Sequence, residues 1–280
     1  MNSSTISKQK GTMNNLKIWD IESLILKELA SHVRPGITTM TINNLARQLI
    51  KDYDVASFNR GYHPDWAESP YPYETCISVN DEIVHGLPSD RILQEGDIVN
   101  IDLGIIKDGV CADAALTVPV GNISETDKEL IHVAKKSLYA GIKRIRDGVK
   151  IDTIARAIEE TAWHRRYVVN CLFTGHAIGK TMHQEPYIYH TRNSNYTKAE
   201  DVAQYQKYLD VELKAGQVVC LEPAITKRDQ VGKQMENKWT FRTRDGSKSA
   251  LFEEMIEVLP DGYRILTSHL KEEQEKYLKK

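Results

Sequence analysis

The sequence predicts an α+β protein built from two related halves, on three observations. A helix–helix–strand order occurs twice, short segments of the first half recur in the second, and apolar strand-like runs end on acids. V-R-P-G-I-T-T-M-T-I from Val33 matches I-R-D-G-V-K-I-D-T-I from Ile145. L-Q-E-G-D-I-V-N-I-D-L-G-I from Leu93 matches L-K-A-G-Q-V-V-C-L-E-P-A-I from Leu213, which sets Asp102 against Glu222. C-A-D-A-A-L-T-V and L-F-E-E-M-I-E-V set Asp113 against Glu253. The common order of the matches, more than any one of them, is the sign of a duplicated unit.

The elements follow in order. Apolar residues at helical spacing run from Leu16 to Val33 and stop at Arg34-Pro35-Gly36, and a second helix is expected from Thr41 to Lys51. Residues 54–75, rich in Pro, Gly, Asn and aromatics, read as an ordered loop. From Cys76 to Val120 the chain is β-rich, with strands expected around Ile77, Val99 and Leu116. Thr126 and Glu129 suit a capping box for a long helix ending near Gly148, with Arg144 and Arg146 in its last turn. A further helix, Ile151 to His164, leads into a second β-rich part from Tyr167 to Leu266. Within it, the tyrosine-rich stretch 187–215 (Tyr187, Tyr189, Tyr196, Tyr205, Tyr208) reads as a loop plus helix, with a lid over the site as the alternative.

Composition excludes several classes. The 280 residues carry a formal net charge of -2, which is no polycation for nucleic acid. There is no apolar run of membrane length and no signal-peptide core at the N-terminus, so a cytoplasmic protein without nucleic-acid or membrane partners is expected. Residues 1–14 read as a flexible tail, 15–268 as one catalytic domain, and 269–280 as a charged tail. Cys76, Cys111, Cys171 and Cys220 form no C-x-x-C pair and read as reduced thiols.

Asp102, Asp113, His176, Glu222 and Glu253 make a hard, oxygen-rich ligand set of the kind that takes paired divalent ions rather than structural zinc. Two such ions about 3.5–4 Å apart acidify a water for hydrolysis of an unactivated bond. Strand parity puts Ile98, Asn100 and Asp102 on one face, and Val218, Cys220 and Glu222 on one face. An acid at such a strand end is either functional or the first solvated residue past the sheet. The paired repeat favours function.

Six segments together carry a family resemblance: S-V-N-D-E-I-V-H-G-L-P, G-D-I-V-N-I-D-L-G, A-D-A-A-L-T-V, G-H-A-I-G-K-T-M-H-Q-E-P, C-L-E-P-A-I and W-T-F-R-T-R-D-G-S-K-S-A-L-F-E-E. Over residues 15 to 268 the chain resembles the type I methionine aminopeptidases. The resemblance implies the pita-bread fold, an antiparallel sheet with helices outside and pseudo-twofold halves. It implies metal binding by the five residues above, with Glu222 also acting as proton shuttle. His85 would lie near the scissile amide and His183 on the substrate carbonyl, while Tyr71, Cys76 and Trp239 would surround the substrate methionine. Two divalent ions (cobalt, manganese, iron(II) or zinc) are implied as cofactors. The N-terminal methionine of nascent chains with a small uncharged second residue is the implied substrate, and a monomer working near the ribosome is the expected setting.

The chain departs from the family pattern at S-A-L-F-E-E-M, where Leu251 stands for a glutamine, Glu254 for a histidine or aspartate and Met255 for a threonine. Two adjacent glutamates result, so Glu253 is chosen by motif register rather than by parity. Ala177 and Met182 are smaller departures. His63, His132, His164, His190 and His269 match no motif position and read as surface or satisfied structural residues, and Lys180 and Arg244 read as solvated rather than functional. The alternatives to a methionine aminopeptidase are a proline-specific (Xaa-Pro) aminopeptidase of the same fold and an inactive pita-bread binding module.

Overall fold

The computed structural model describes residues 16–193, 199–268 and 270. The tails expected over 1–14 and 269–280 lie outside the described residues, except Leu270, which is fully buried. Tyr196 and His269 lie outside them as well.

Each half begins with a helix pair. α1 (Ile18–Ser31) buries Ile18, Ile21, Ile25, Leu26 and Leu29, the one face that 3–4 spacing creates. α2 (Thr39–Asp52) is capped by Thr38, whose side chain accepts from the Thr41 N–H at 3.1 Å. In the second half α3 (Glu125–Ile142) and α4 (Ile151–Trp163) pack against each other. The cap of α3 is Ser124, not Thr126: the Ser124 hydroxyl accepts from the Asp127 N–H at 3.1 Å, leaving Thr126 inside the first turn. Nor does α3 reach Gly148. Asp147 N donates to Leu259 O at 3.0 Å and Gly148 N to Leu213 O at 2.8 Å, so sheet contacts take the backbone that would have continued the helix. Arg144 and Arg146 therefore lie in the turn beyond it, and Gly148 supplies the positive φ (70°) that the turn requires.

The strands are β1 (Ala56–Ser57), β2 (Cys76–Val79), β3 (Glu82–Val84), β4 (Ile98–Lys107) and β5 (Val110–Pro119) in the first half. In the second they are β6 (Val168–Val169), β7 (Gly175–Ala177), β8 (Gln184–Ile188), β9 (Val218–Leu221), β10 (Ala224–Thr226), β11 (Lys233–Gln234), β12 (Phe241–Arg242), β13 (Ser249–Leu251), β14 (Glu254–Leu259) and β15 (Gly262–Ile265). β4 pairs antiparallel with β5 along its length and with β2 and β1 on its other edge. The second half forms the antiparallel order β15-β14-β9-β7-β8. Residues 54–75 are irregular apart from β1, as expected.

The duplication is visible and imperfect. β4 and β5 run unbroken for 10 residues each. Their counterparts are interrupted, β9 from β10 around Glu222-Pro223 and β13 from β14 around Phe252-Glu253. The 187–215 stretch contains helix α5 (Ala199–Leu209), which packs on α4 and β8. Its Tyr205 is buried and donates its hydroxyl to Thr191 O. This is the loop plus helix reading, and its described tyrosines do not line the site cavity.

Most of the core is one continuous apolar cluster shared by helices and strands of both halves, from Ile18 to Leu270. Fully burying a single Ile or Leu such as Ile25 or Leu221 contributes about 1.5–3 kcal/mol. A polar seam fixes the halves in register. Asn100 Nδ2 and Thr117 Oγ1 both donate to Leu251 O (3.0 and 2.8 Å), and Leu251 N donates to Thr117 Oγ1 at 3.0 Å.

Candidate metal centre

The strand ladder brings the acids together. Asp102 stands opposite Ala115 and Gly104 opposite Asp113, so both acids occupy the same face of the β4–β5 pair as diagonal neighbours. Leu221 pairs with Glu254, which sets Glu222 and Glu253 at the next opposed positions, where β9 ends and β14 begins. Carboxylate oxygens of Asp102, Asp113 and Glu253 lie within 4.8 Å of one another, as do donor atoms of Asp113, His176 and His183. His176 Nε2 is 3.7 Å from Asp113 Oδ2 and 3.6 Å from Glu222 Oε1. Its Nδ1 faces the Ala177 carbonyl at 3.2 Å, which only accepts, so the proton belongs on Nδ1 and the Nε2 lone pair faces the acids.

The ten residues singled out in the sequence line one cavity of about 60 Å³: His85, His183, Glu222, Asp102, Asp113, His176, Glu253, Tyr71, Cys76 and Trp239. The adjacent glutamates separate cleanly. Glu253 faces the cavity, whereas Glu254 is turned into the core, accepting from Tyr139 Oη at 3.1 Å and from the Thr267 hydroxyl. The altered neighbours are structural: Leu251 is buried beside Ile83 and Val84, and Met255 Sδ accepts from the Asp113 N–H at 3.4 Å.

The acids repel. Burial, then the charge of Asp113, holds Asp102 well above the usual carboxylate range. Burial lifts Asp113 to about 8. Glu222 is raised by burial, then by Asp113 and Asp102, and Glu253 by burial, then by Asp113, Glu222 and Asp102. His176 is lowered to about 4 by burial. Four carboxyls that destabilise one another's charge, with Glu253 Oε1 buried and without a hydrogen-bond partner, fit divalent cations, which reverse the sign of the local potential.

The pocket around His85 is aromatic. His85 sits at φ 56°, with Trp66 stacked at 5.5 Å and 20° and Phe173 edge-on at 5.0 Å. The next residue must be glycine, since a Cβ at Gly86 would lie 2.2 Å from Ile77 O. Burial, then His183, lowers His85 to about 4. Tyr71 Oη donates to Gly86 O at 2.8 Å, and Trp239 Nε1 to Ser69 O at 3.1 Å. Trp239 is both cavity wall and buried core residue.

Two residues read as bystanders have defined work. His190 is buried, and its Nε2 accepts from the N–H groups of Gly175 and Glu222, each at 3.2 Å. One imidazole thus ties together the strands that carry His176 and Glu222. Nothing in motif spacing marks it, because both contacts are to backbone. Arg244 is exposed, as expected, and from the surface clamps the buried Asp229 through Nε (2.9 Å) and Nη2 (2.6 Å). Sequence reading also passed over Glu22 of α1, a fully buried acid raised by burial, then by Asp113 and Asp102.

Comparison with known proteins gives a consistent result. The model of metallopeptidase family M24 matches residues 17–259. Methionine aminopeptidase 1 of Bacillus subtilis is 34% identical over 247 residues, covering 88% of this chain and 92% of that one. The crystal structure of methionine aminopeptidase from Rickettsia prowazekii superposes with a TM-score of 0.80 at 30% identity, covering 93% of this chain and 97% of that one. That of the Thermotoga maritima methionine aminopeptidase gives a TM-score of 0.80 at 31% identity, covering 95% and 98%. The α+β architecture is thus the pita-bread fold, and the chain belongs to metallopeptidase family M24, among its methionine aminopeptidases.

Proposed function

We propose that this chain removes the N-terminal methionine of peptides and nascent proteins whose second residue is small and uncharged. The observation that carries the reading is the convergence of all ten residues on one cavity, whose lining combines the acid cluster with aromatic side chains. Asp102, Asp113, His176, Glu222 and Glu253 would hold two divalent ions, manganese, cobalt, iron(II) or zinc. Bound there, the ions would supply a water whose pKa is lowered to about 7 and polarisation of the scissile carbonyl.

The protein's own residues do the rest. Tyr71, Cys76 and Trp239 wall the space for the methionine side chain, an apolar and polarizable group suited to aromatic and sulfur neighbours. Glu222 takes the proton of the attacking water and passes it to the leaving amine. His183 donates to the carbonyl oxygen as negative charge builds there, an effect worth about 3–4 kcal/mol for a well-placed donor. His85, held by its φ and by Trp66, orients the scissile amide.

The described residues contain no helix long and apolar enough to cross a membrane. A monomer acting in the cytoplasm on chains leaving the ribosome is the setting this reading proposes. Titrating the chelated protein with each metal, against Met-Ala-Ser and an Xaa-Pro peptide, tests it. Release of methionine from Met-Ala-Ser is expected. Cleavage confined to Xaa-Pro would overturn the specificity, and no turnover with any metal would overturn the activity.

A further inference from the structure

Two sulfur side chains lie beside the candidate ligands, outside the lining of the cavity. In the β7–β9–β14 ladder His176 pairs with Cys220, and Cys220 pairs with Met255, so an imidazole, a thiol and a thioether lie side by side on one face. The Cys220 Sγ, a His176 ring nitrogen and a Glu253 oxygen lie within 4.8 Å of one another. Cys220 is fully buried, and the Glu253 Oε1 beside it is buried without a hydrogen-bond partner. A nitrogen, a sulfur and a carboxylate oxygen at that separation are the donor types of a tetrahedral soft-metal site, whose metal–sulfur bond is about 2.3 Å and metal–nitrogen bond about 2.0–2.1 Å.

We propose that His176, Cys220 and Glu253 form a second, thiophilic metal-binding mode of this centre, taking zinc or cadmium through the Cys220 sulfur. The oxygen-rich set of Asp102, Asp113 and Glu253 accepts hard ions, and a thiolate selects soft ones. On binding, the Cys220 S–H bond breaks, its electron pair forms the sulfur–metal bond and the proton leaves to solvent. Because His176 and Glu253 belong to both modes, a thiophilic ion held here withdraws two donors from the hydrolytic arrangement. The competition rests on the peptidase reading; the binding does not.

The test is spectroscopic. Chelated full-length protein is titrated with cadmium, and thiolate-to-cadmium charge transfer is followed in the ultraviolet. The band is expected to saturate at one equivalent in the wild type and in Cys171→Ser, whose thiol lies outside the site. In Cys220→Ser it should vanish, and cadmium affinity measured by calorimetry should fall at least the roughly 10–100-fold that loss of a metal ligand's supporting partner costs. A band that survives in Cys220→Ser overturns the proposal, as does its absence from the wild type, whether or not cadmium binds. Wild-type protein that cleaves Met-Ala-Ser with manganese but shows no band refutes this inference alone. A Cys220-dependent band without hydrolysis under any metal refutes the peptidase reading and leaves the thiophilic site standing.

Discussion

The backbone N–H of Glu253 donates to the carbonyl of Ala115 at 2.9 Å, an isolated antiparallel bridge between the two halves. Ala115 lies two residues beyond Asp113 on the same face of β5. The bridge therefore delivers Glu253 to the acids from the opposite half, whatever side chains flank it. This is why the changed surroundings Leu251, Glu254 and Met255 leave Glu253 in the cavity. The ligand position is held by backbone, and the neighbours answer to the core.

The seam beside that bridge should be sensitive to a change that preserves shape. Thr117→Val keeps the volume but removes the hydroxyl that bonds both polar groups of the Leu251 backbone, leaving a buried N–H without its acceptor. A loss of about 1–3 kcal/mol is expected in denaturant unfolding, the usual cost of an orphaned buried group. An unchanged midpoint would show that the Thr117 hydroxyl does not help to hold the halves together.

Glu222→Gln preserves size and removes the base. Turnover of Met-Ala-Ser should fall by about 10²–10⁴-fold, the ordinary contribution of a positioned general base. Binding of the peptide to the metal-loaded variant should persist in calorimetry. Near-normal turnover would remove Glu222 from the proton-transfer role.

His190 holds the backbone of Glu222 and that of Gly175, the residue before His176, so its loss should be read in metal affinity. His190→Ala is expected to weaken manganese binding by roughly 10–100-fold. His190→Gln, which offers an acceptor oxygen at a similar reach, should recover part of the loss. If both variants bind manganese like the wild type, the imidazole has no part in holding the centre.

Metal-free protein should lose stability as pH rises from about 6.5 to about 8 and change little above that. Asp113 is raised by burial from 3.8 to about 8 in the folded chain. A carboxyl raised in this way favours the folded state fully below its unfolded value, and the contribution is lost as pH rises through about 8. His176, lowered from 6.5 to about 4 by burial, has its contribution present above 6.5 and lost as pH falls through about 4, so it does not act in this window. Thermal midpoints of chelated protein should fall across that window, and Asp113→Asn or added manganese should flatten the trend. A flat profile in the chelated wild type would mean the acid cluster is not strained.

Much was legible in the sequence because the relevant physics is local or repeated. The period of 3.6 in Ile18–Leu29 and of 2 in Ile98–Leu103 follows from backbone geometry, and the paired acids Asp102/Glu222 and Asp113/Glu253 follow from duplication. The five candidate ligands could be named from the residues alone, whereas His85, His183, Tyr71, Cys76 and Trp239 were named only through the family resemblance. What failed was decided in part by competition at a distance. Sheet carbonyls of Leu213 and Leu259 ended α3 early, whereas the shift of its cap from Thr126 to Ser124 is local.

The sequence by itself determined the donor types of this centre, their order along the chain and the strand faces they occupy, because chemistry and parity belong to the chain. Only the tertiary structure decided that His190 joins the strands of His176 and Glu222, and that Cys220 comes within ligand reach of His176 and Glu253. Each of these depends on strand register between segments far apart in sequence. Register is set by the summed packing and hydrogen bonding of whole strands, which no local pattern records.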